Sequence, residues 1–196
     1  MSNVKLITLH DILPFDEYAA TRKDRKKALT QVKKNRRMEV GPHASFYFEN
    51  YDTMWHQVHE MLAIEKGGAE QVPDELEAYN PLIPQGRELI ATVMFEIDDP
   101  LRRKTVLSRM GGVEGNMYLE VNGERVSGKA EEDVDRTAAD GKASSVQFVH
   151  FPLSDAQADV LKNSGARVIV GIDHENYSHM AVMSEPTRNA LAGDLD

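Results

Sequence analysis

Cysteine is absent from the 196 residues. That excludes disulfides, thiolate nucleophiles, iron–sulfur clusters and Cys-type zinc sites carried by this chain alone, and it fits a reducing compartment. Long apolar runs are missing as well, and none approaches the roughly 20 residues a membrane helix needs. The N-terminus, MSNVKLITLHDIL, lacks the apolar stretch of a secretory signal, and Pro14 and Asp16 follow at once. A cytoplasmic protein is expected. No serine stands in G-x-S-x-G, and no glycine-rich loop ends in Gly-Lys-Ser or Gly-Lys-Thr. Nothing else in the sequence declares a reaction with high specificity.

Positive charge is scarce and unevenly spread. The chain carries 23 Lys and Arg against 32 Asp and Glu, a net charge of −9. Yet residues 22–37 (RKDRKKALTQVKKNRR) hold nine cations and one acid, Asp24, so this segment is +8 and the rest is −17. Such a segment suits an acidic protein surface, phosphate or nucleic acid, with Arg22, Lys26, Lys33, Arg36 and Arg37 as the contact candidates. The simpler alternative is a solvated helix face that neutralises the acidic body of its own chain. An acidic whole repels polyanions, so nucleic-acid binding ranks low.

Hydrophobic residues make up 41%, enough for one core, and the length suits a single domain over 1–196. Pro14 reads as a helix start, Thr21 as the cap of a second helix to about Arg37, and SFYF at 45–48 as a strand. Asn50 or Asp52 caps a helix from Tyr51 to about Lys66, stopped by Gly67-Gly68. A short helix follows near 73–79. The second half alternates: strands at 88–97, 117–121, 145–151 and 167–172, a hairpin turn at Asn122-Gly123, and helices near 101–110, 155–163 and from Pro186. Residues 128–143 are polar and glycine-bounded, which predicts a mobile loop. The fold class expected is α+β, with a helix-rich part at 1–80 packed on a largely antiparallel sheet from 86–196.

The stretch Gly41–Leu62 concentrates candidate chemistry, including three of the seven histidines and the single tryptophan, Trp55. Asp52, His56, His59 and Glu60 fall within about one-third of a helix circumference. A carboxylate and two imidazoles on one face suit iron, zinc or manganese, although the spacing is neither H-E-x-x-H nor a paired E-x-x-H. Equally, Trp55, Val58 and Leu62 face a core with His59 at its edge. His43, after Gly41-Pro42, is a ligand, a proton carrier or a side chain bonded to a nearby carbonyl. Glu49 suits a metal, a cap or, as favoured, an ion pair with Arg36 or Arg37. His174 ends a strand beside Asp173 and Glu175. If it met His43, then Glu49, Glu60 or Asp173 would complete a two-histidine, one-carboxylate set. His150 reads as a strand residue on a solvent face. Met54, Met61, Met180 and Met183 suit either a haem environment or an adaptable core.

GPH at 41–43, FEN at 48–50, Gln57 with Glu60-Met61, YNPLIP at 79–84, ELIAT at 88–92, VQFVHFPL at 146–153 and DHENY at 173–177 together resemble a bacterial family of unknown function. Its members are encoded beside rubrerythrin and beside a Cys-rich iron–sulfur oxidoreductase. The resemblance spans nearly the whole chain. It implies a role near peroxide or electron-transfer chemistry and no specific activity. It stresses His43, Glu49, Glu60 and His174, and makes His56 and His179 departures. Three expectations follow in order: an accessory protein docking on an iron-dependent redox partner through 22–37 or the 128–143 loop; an oxidoreductase binding iron, manganese or haem through His43 and His174 with a carboxylate; and a nucleic-acid binder through 22–37.

Overall fold

The computed structural model describes residues 4–131, 137–138 and 141–196. Its first long element is one helix, α1 (Phe15–Lys34), with Pro14 at its N-cap. The break expected at Thr21 does not occur. Thr21 is no cap: its hydroxyl donates back to the Glu17 carbonyl at 3.1 Å, and the helix runs on. Only Tyr18 is buried along the 20 residues. Arg36 and Arg37 leave the helix and enter a hairpin of β1 (Arg37–Val40) and β2 (Ala44–Phe48). Gly41 turns that hairpin at φ +70°, and a Cβ there would lie 2.5 Å from the His179 ring and 2.8 Å from the Tyr177 hydroxyl. Only glycine fits both the backbone and the space.

Asn50 caps α2 (Tyr51–Glu65) reciprocally: its side chain accepts from the Thr53 N–H at 3.0 Å, and Thr53 Oγ1 accepts from the Asn50 N–H at 2.9 Å. The helix stops at Lys66, left-handed at φ +56°, one residue before the expected glycines. Then come α3 (Val72–Tyr79), β3 (Glu88–Phe95) and α4 (Pro100–Leu107), the last capped by Asp99. β4 (Met117–Val121) and β5 (Glu124–Ser127) meet at Asn122-Gly123, both at positive φ, the geometry such hairpins demand. β6 (Lys129–Ala130), β7 (Val146–Pro152), α5 (Asp155–Lys162), β8 (Val168–His174), β9 (Tyr177–Val182) and α6 (Glu185–Ala192) complete the order.

The strands form two sheets, β1-β2-β3-β7-β6 and β5-β4-β8-β9, and every pairing is antiparallel. The expectation of a helical N-terminal half on a C-terminal sheet is therefore corrected: helices and strands interleave, and β1 and β2 belong to the first sheet. The 128–143 loop is corrected in part. Residues 129–130 pair with β7, Thr137 bridges Ala143, and residues 132–136 and 139–140 of that stretch lie outside the described residues.

The period of two in β3 assigns its faces. Leu89, Ala91, Val93 and Phe95 join Phe46 and Phe151 against Leu119, Val170 and Ile172 of the second sheet. Ile90 points the other way, into a smaller cluster with Ile7, Met54, Val58, Leu82 and Ile83. One sheet is thus sandwiched between a second sheet and a helical layer containing α2. Each fully buried Phe or Leu contributes roughly 1.5–3 kcal/mol of transfer free energy to this arrangement. Two polar ties fix the β1–β2 hairpin. The Tyr177 hydroxyl donates to the Val40 carbonyl at 2.7 Å and accepts from the N–H groups of His43 and Ala44. Arg36, buried, donates to the carbonyls of Phe48 and Glu49 and pairs with Asp194 after α6.

Candidate functional site

Of the polar residues in the Gly41–Leu62 stretch, His56, His59 and Glu60 meet α1. Tyr18 and Arg22 are one helical turn apart, and they meet His56 and Glu60, likewise one turn apart on α2. Arg22 grips Glu60 with two bonds, Nε to Oε1 at 2.8 Å and Nη2 to Oε2 at 2.9 Å. The Tyr18 hydroxyl donates to Glu60 Oε1 at 2.8 Å and lies 3.3 Å from His56 Nδ1. With the tyrosine proton committed to Glu60, Nδ1 is the donor in the second contact. His59 is spoken for at both nitrogens: Nε2 accepts from the Leu13 N–H at 3.0 Å, and Nδ1 donates to the Trp55 carbonyl at 2.7 Å. Its ring packs against those of Trp55, 3.8 Å away, and Tyr18, 4.8 Å away, which also meet each other edge-on at 6.1 Å. Arg25 covers the Trp55 ring at 4.9 Å.

Electrostatics follows this geometry. The Arg22 fork, helped by Tyr18, pulls the Glu60 carboxyl down to about 2 against the effect of burial. Burial pushes the Tyr18 hydroxyl up, and Glu60 adds to it. Burial lowers both His56 and His59, so each is held neutral. A carboxylate this firmly ion-paired, beside histidines already bonded, is an anchor between two helices. Three of its about four lone-pair positions are taken by Arg22 and Tyr18.

The remaining candidates are dispersed. Glu49 is buried and accepts from the Thr92 hydroxyl at 2.8 Å; it makes no ion pair with Arg36 or Arg37. His174 lies between the Gly111 carbonyl, 3.2 Å from Nε2, and the Asn176 N–H, 3.2 Å from Nδ1. His43 sits at the hairpin turn, its ring 6.3 Å from that of Tyr177, with its pKa lowered by burial and by Arg102. Among the described residues no three His, Asp or Glu side chains gather as a metal ion would require, and His43, His174, Glu49 and Glu60 are not brought together. Asp52, placed on the same helix face as His56, is exposed. His150 is not solvated as expected: Glu88 and Glu131 flank it at 3.1 and 3.4 Å and hold it charged, with a pKa of about 9. Met54 and Met183 are core residues, whereas Met180 is exposed.

The basic segment divides in two. Arg22 serves Glu60, Arg36 serves Asp194, and Arg37 serves Glu39 and Glu96. Lys23, Lys26, Lys27, Lys33 and Lys34 make no ion pair among the described residues. At 100° per residue these five lysines span about 120° of α1, a face roughly 17 Å long. Sequence reasoning missed Tyr18 and the ring stack it closes. The available signal was the Tyr18–Arg22 spacing, complementary to His56–Glu60.

A family model described as a protein of unknown function, DUF3501, matches residues 6–195. A crystal structure from Burkholderia pseudomallei, described as a novel protein of unknown function, is 36% identical with a TM-score of 0.89, over 97% of this chain and 99% of that one. No curated protein matches.

Proposed function

The chain belongs to the DUF3501 family, and from that premise and its own surface we propose that it is an accessory protein that docks on an acidic partner through the lysine face of α1. One observation carries this reading: five lysines on one face have no acidic partner among the described residues of a chain with a net charge of −9. Like charges a turn apart, such as Lys23 and Lys27, destabilise a helix by about 0.2–0.5 kcal/mol per pair. A helix that keeps four of the five lysines exposed and Lys33 half-buried, while Arg22 turns inward to Glu60 and Arg25 to Trp55, is arranged to meet negative charge elsewhere. The acidic remainder of the chain disfavours nucleic acid and favours a protein with a local acidic patch.

The resemblance to proteins encoded beside rubrerythrin and a Cys-rich iron–sulfur oxidoreductase supplies the partner class, an iron-dependent redox or peroxide-stress protein. The chain has no cysteine, so any iron–sulfur or dithiol electron carrier would belong to the partner. Calorimetric titration against each of those two proteins tests the proposal. Binding should weaken at least tenfold between about 50 and 300 mM salt, and fail when all five lysines are replaced by glutamine. Binding to neither protein, or binding indifferent to both salt and the substitutions, would sink it.

A further inference from the structure

Next to the α1–α2 anchor lies a cleft of about 560 Å³ between the start of α1, the end of α2 and the start of α3. Its volume falls in the usual range of small-molecule sites, roughly 300–1,000 Å³. The walls are apolar: Leu9, Ile12, Leu13, Phe15, Leu62 and Val72 are among them. Leu9 and Phe15 stay 64% and 55% exposed, although large apolar side chains in the open gain from being covered. Tyr18 and His59 also line the cleft, but their polar atoms are used: the tyrosine hydroxyl by Glu60 and His56, the imidazole nitrogens by Leu13 and Trp55. They contribute ring surface only. Among the lining residues the sole charged group is Lys66, exposed at the end of α2 and without an ion pair among the described residues. Among the described residues no acid lines the cleft.

The geometry points to a binding site for a medium-chain amphiphile with one anionic head, a fatty carboxylate, its chain in the apolar cleft and its carboxylate on the Lys66 ammonium. A saturated ten-carbon chain, each methylene about the size of a water molecule, occupies roughly 300 Å³ and fits the volume. A neutral apolar ligand would leave Lys66 unanswered, and a cationic one would be repelled. This inference is independent of docking through the lysine face, since Lys66 belongs to a different helix and the five α1 lysines do not line the cleft.

Trp55 provides the readout, because it is the only tryptophan and stacks on His59, a wall of the cleft. Titrating the full chain with decanoate should give a saturable change in Trp55 emission and a rise in thermal midpoint. Lys66→Gln should bind roughly tenfold more weakly, with Lys66→Arg restoring the affinity. Ala69→Phe, an exposed lining position, should fill the cleft and abolish the response. Decanol should bind more weakly than decanoate. The assignment is overturned by no saturable response to decanoate, by undiminished binding in Lys66→Gln or Ala69→Phe, or by decanol binding as tightly as the acid.

Discussion

Glu60 takes three bonds from two neighbours on its two oxygens: the Arg22 fork takes both, and Tyr18 adds a third bond to Oε1. Tyr18 is the pivot, because it is the one buried residue of α1 and also closes the ring stack over His59. Removing its hydroxyl strands part of Glu60 and the Nδ1 donor of His56 in a site that water reaches poorly. Tyr18→Phe should therefore cost about 1–2 kcal/mol in urea unfolding with the slope unchanged; a loss below a few tenths would mean that Arg22 alone holds the junction. Part of this was readable in advance. The helix face bearing Asp52, His56, His59 and Glu60 follows from spacing alone, and so does the complementary spacing of Tyr18 and Arg22. What spacing does not reveal is that the two faces meet. A pair separated by 38 residues, such as Arg22 and Glu60, is joined by the fold, and local pattern carries no record of it. The same limit separates Glu49 from its expected arginines: Arg36 reaches only the Glu49 backbone carbonyl, Arg37 turns to Glu39 and Glu96, and the carboxylate turns to Thr92.

At the scale of elements, local chemistry was a better guide. The Asn50 cap, one of the two the sequence offers, and the Asn122-Gly123 turn each depend on one or two residues, and each is found in the structure. The failures share one physical cause. Alternation reports that a strand has a buried face, and it is silent on which sheet buries it; two sheets were thus expected as one. Likewise Thr21 is a good cap and also a tolerable interior residue, and only its bond back to Glu17 decides between them. Helix α1 is held by little packing for its 20 residues. Its lysines repel one another, and Tyr18 is its only buried residue. Amide exchange along residues 26–34 should be faster than along β3 by at least tenfold in the free protein, since local opening is cheap where little apolar surface is packed. Protection in that stretch equal to that of β3 would contradict this picture of a loosely held docking face.

The whole molecule is acidic, and its titration should show opposing limbs. His150 lies above its ordinary value, so its pairing with Glu88 and Glu131 stabilises fully below pH 6.5 and is lost as pH rises through about 9. His56 and His59 lie below theirs, so their contribution is present above pH 6.5 and is lost as the pH falls and they must charge. Glu60 adds a deeper acid loss between about 4.5 and 2. Thermal midpoints should peak between about pH 6 and 7.5, and His150→Gln should flatten the alkaline limb while leaving the acid one. A midpoint still climbing from pH 7 to 9 would contradict the assignment of His150. The same acidic body frames our proposal that the lysine face of α1, unpaired among the described residues, is kept for an acidic partner. Lysine acetylation footprinting, read by mass spectrometry with and without the rubrerythrin-like or iron–sulfur partner, tests it most directly. Protection of Lys23, Lys26, Lys27, Lys33 and Lys34 on complex formation, with Lys104 and Lys129 unchanged, is the result expected; equal labelling of the α1 lysines in both states would contradict the account.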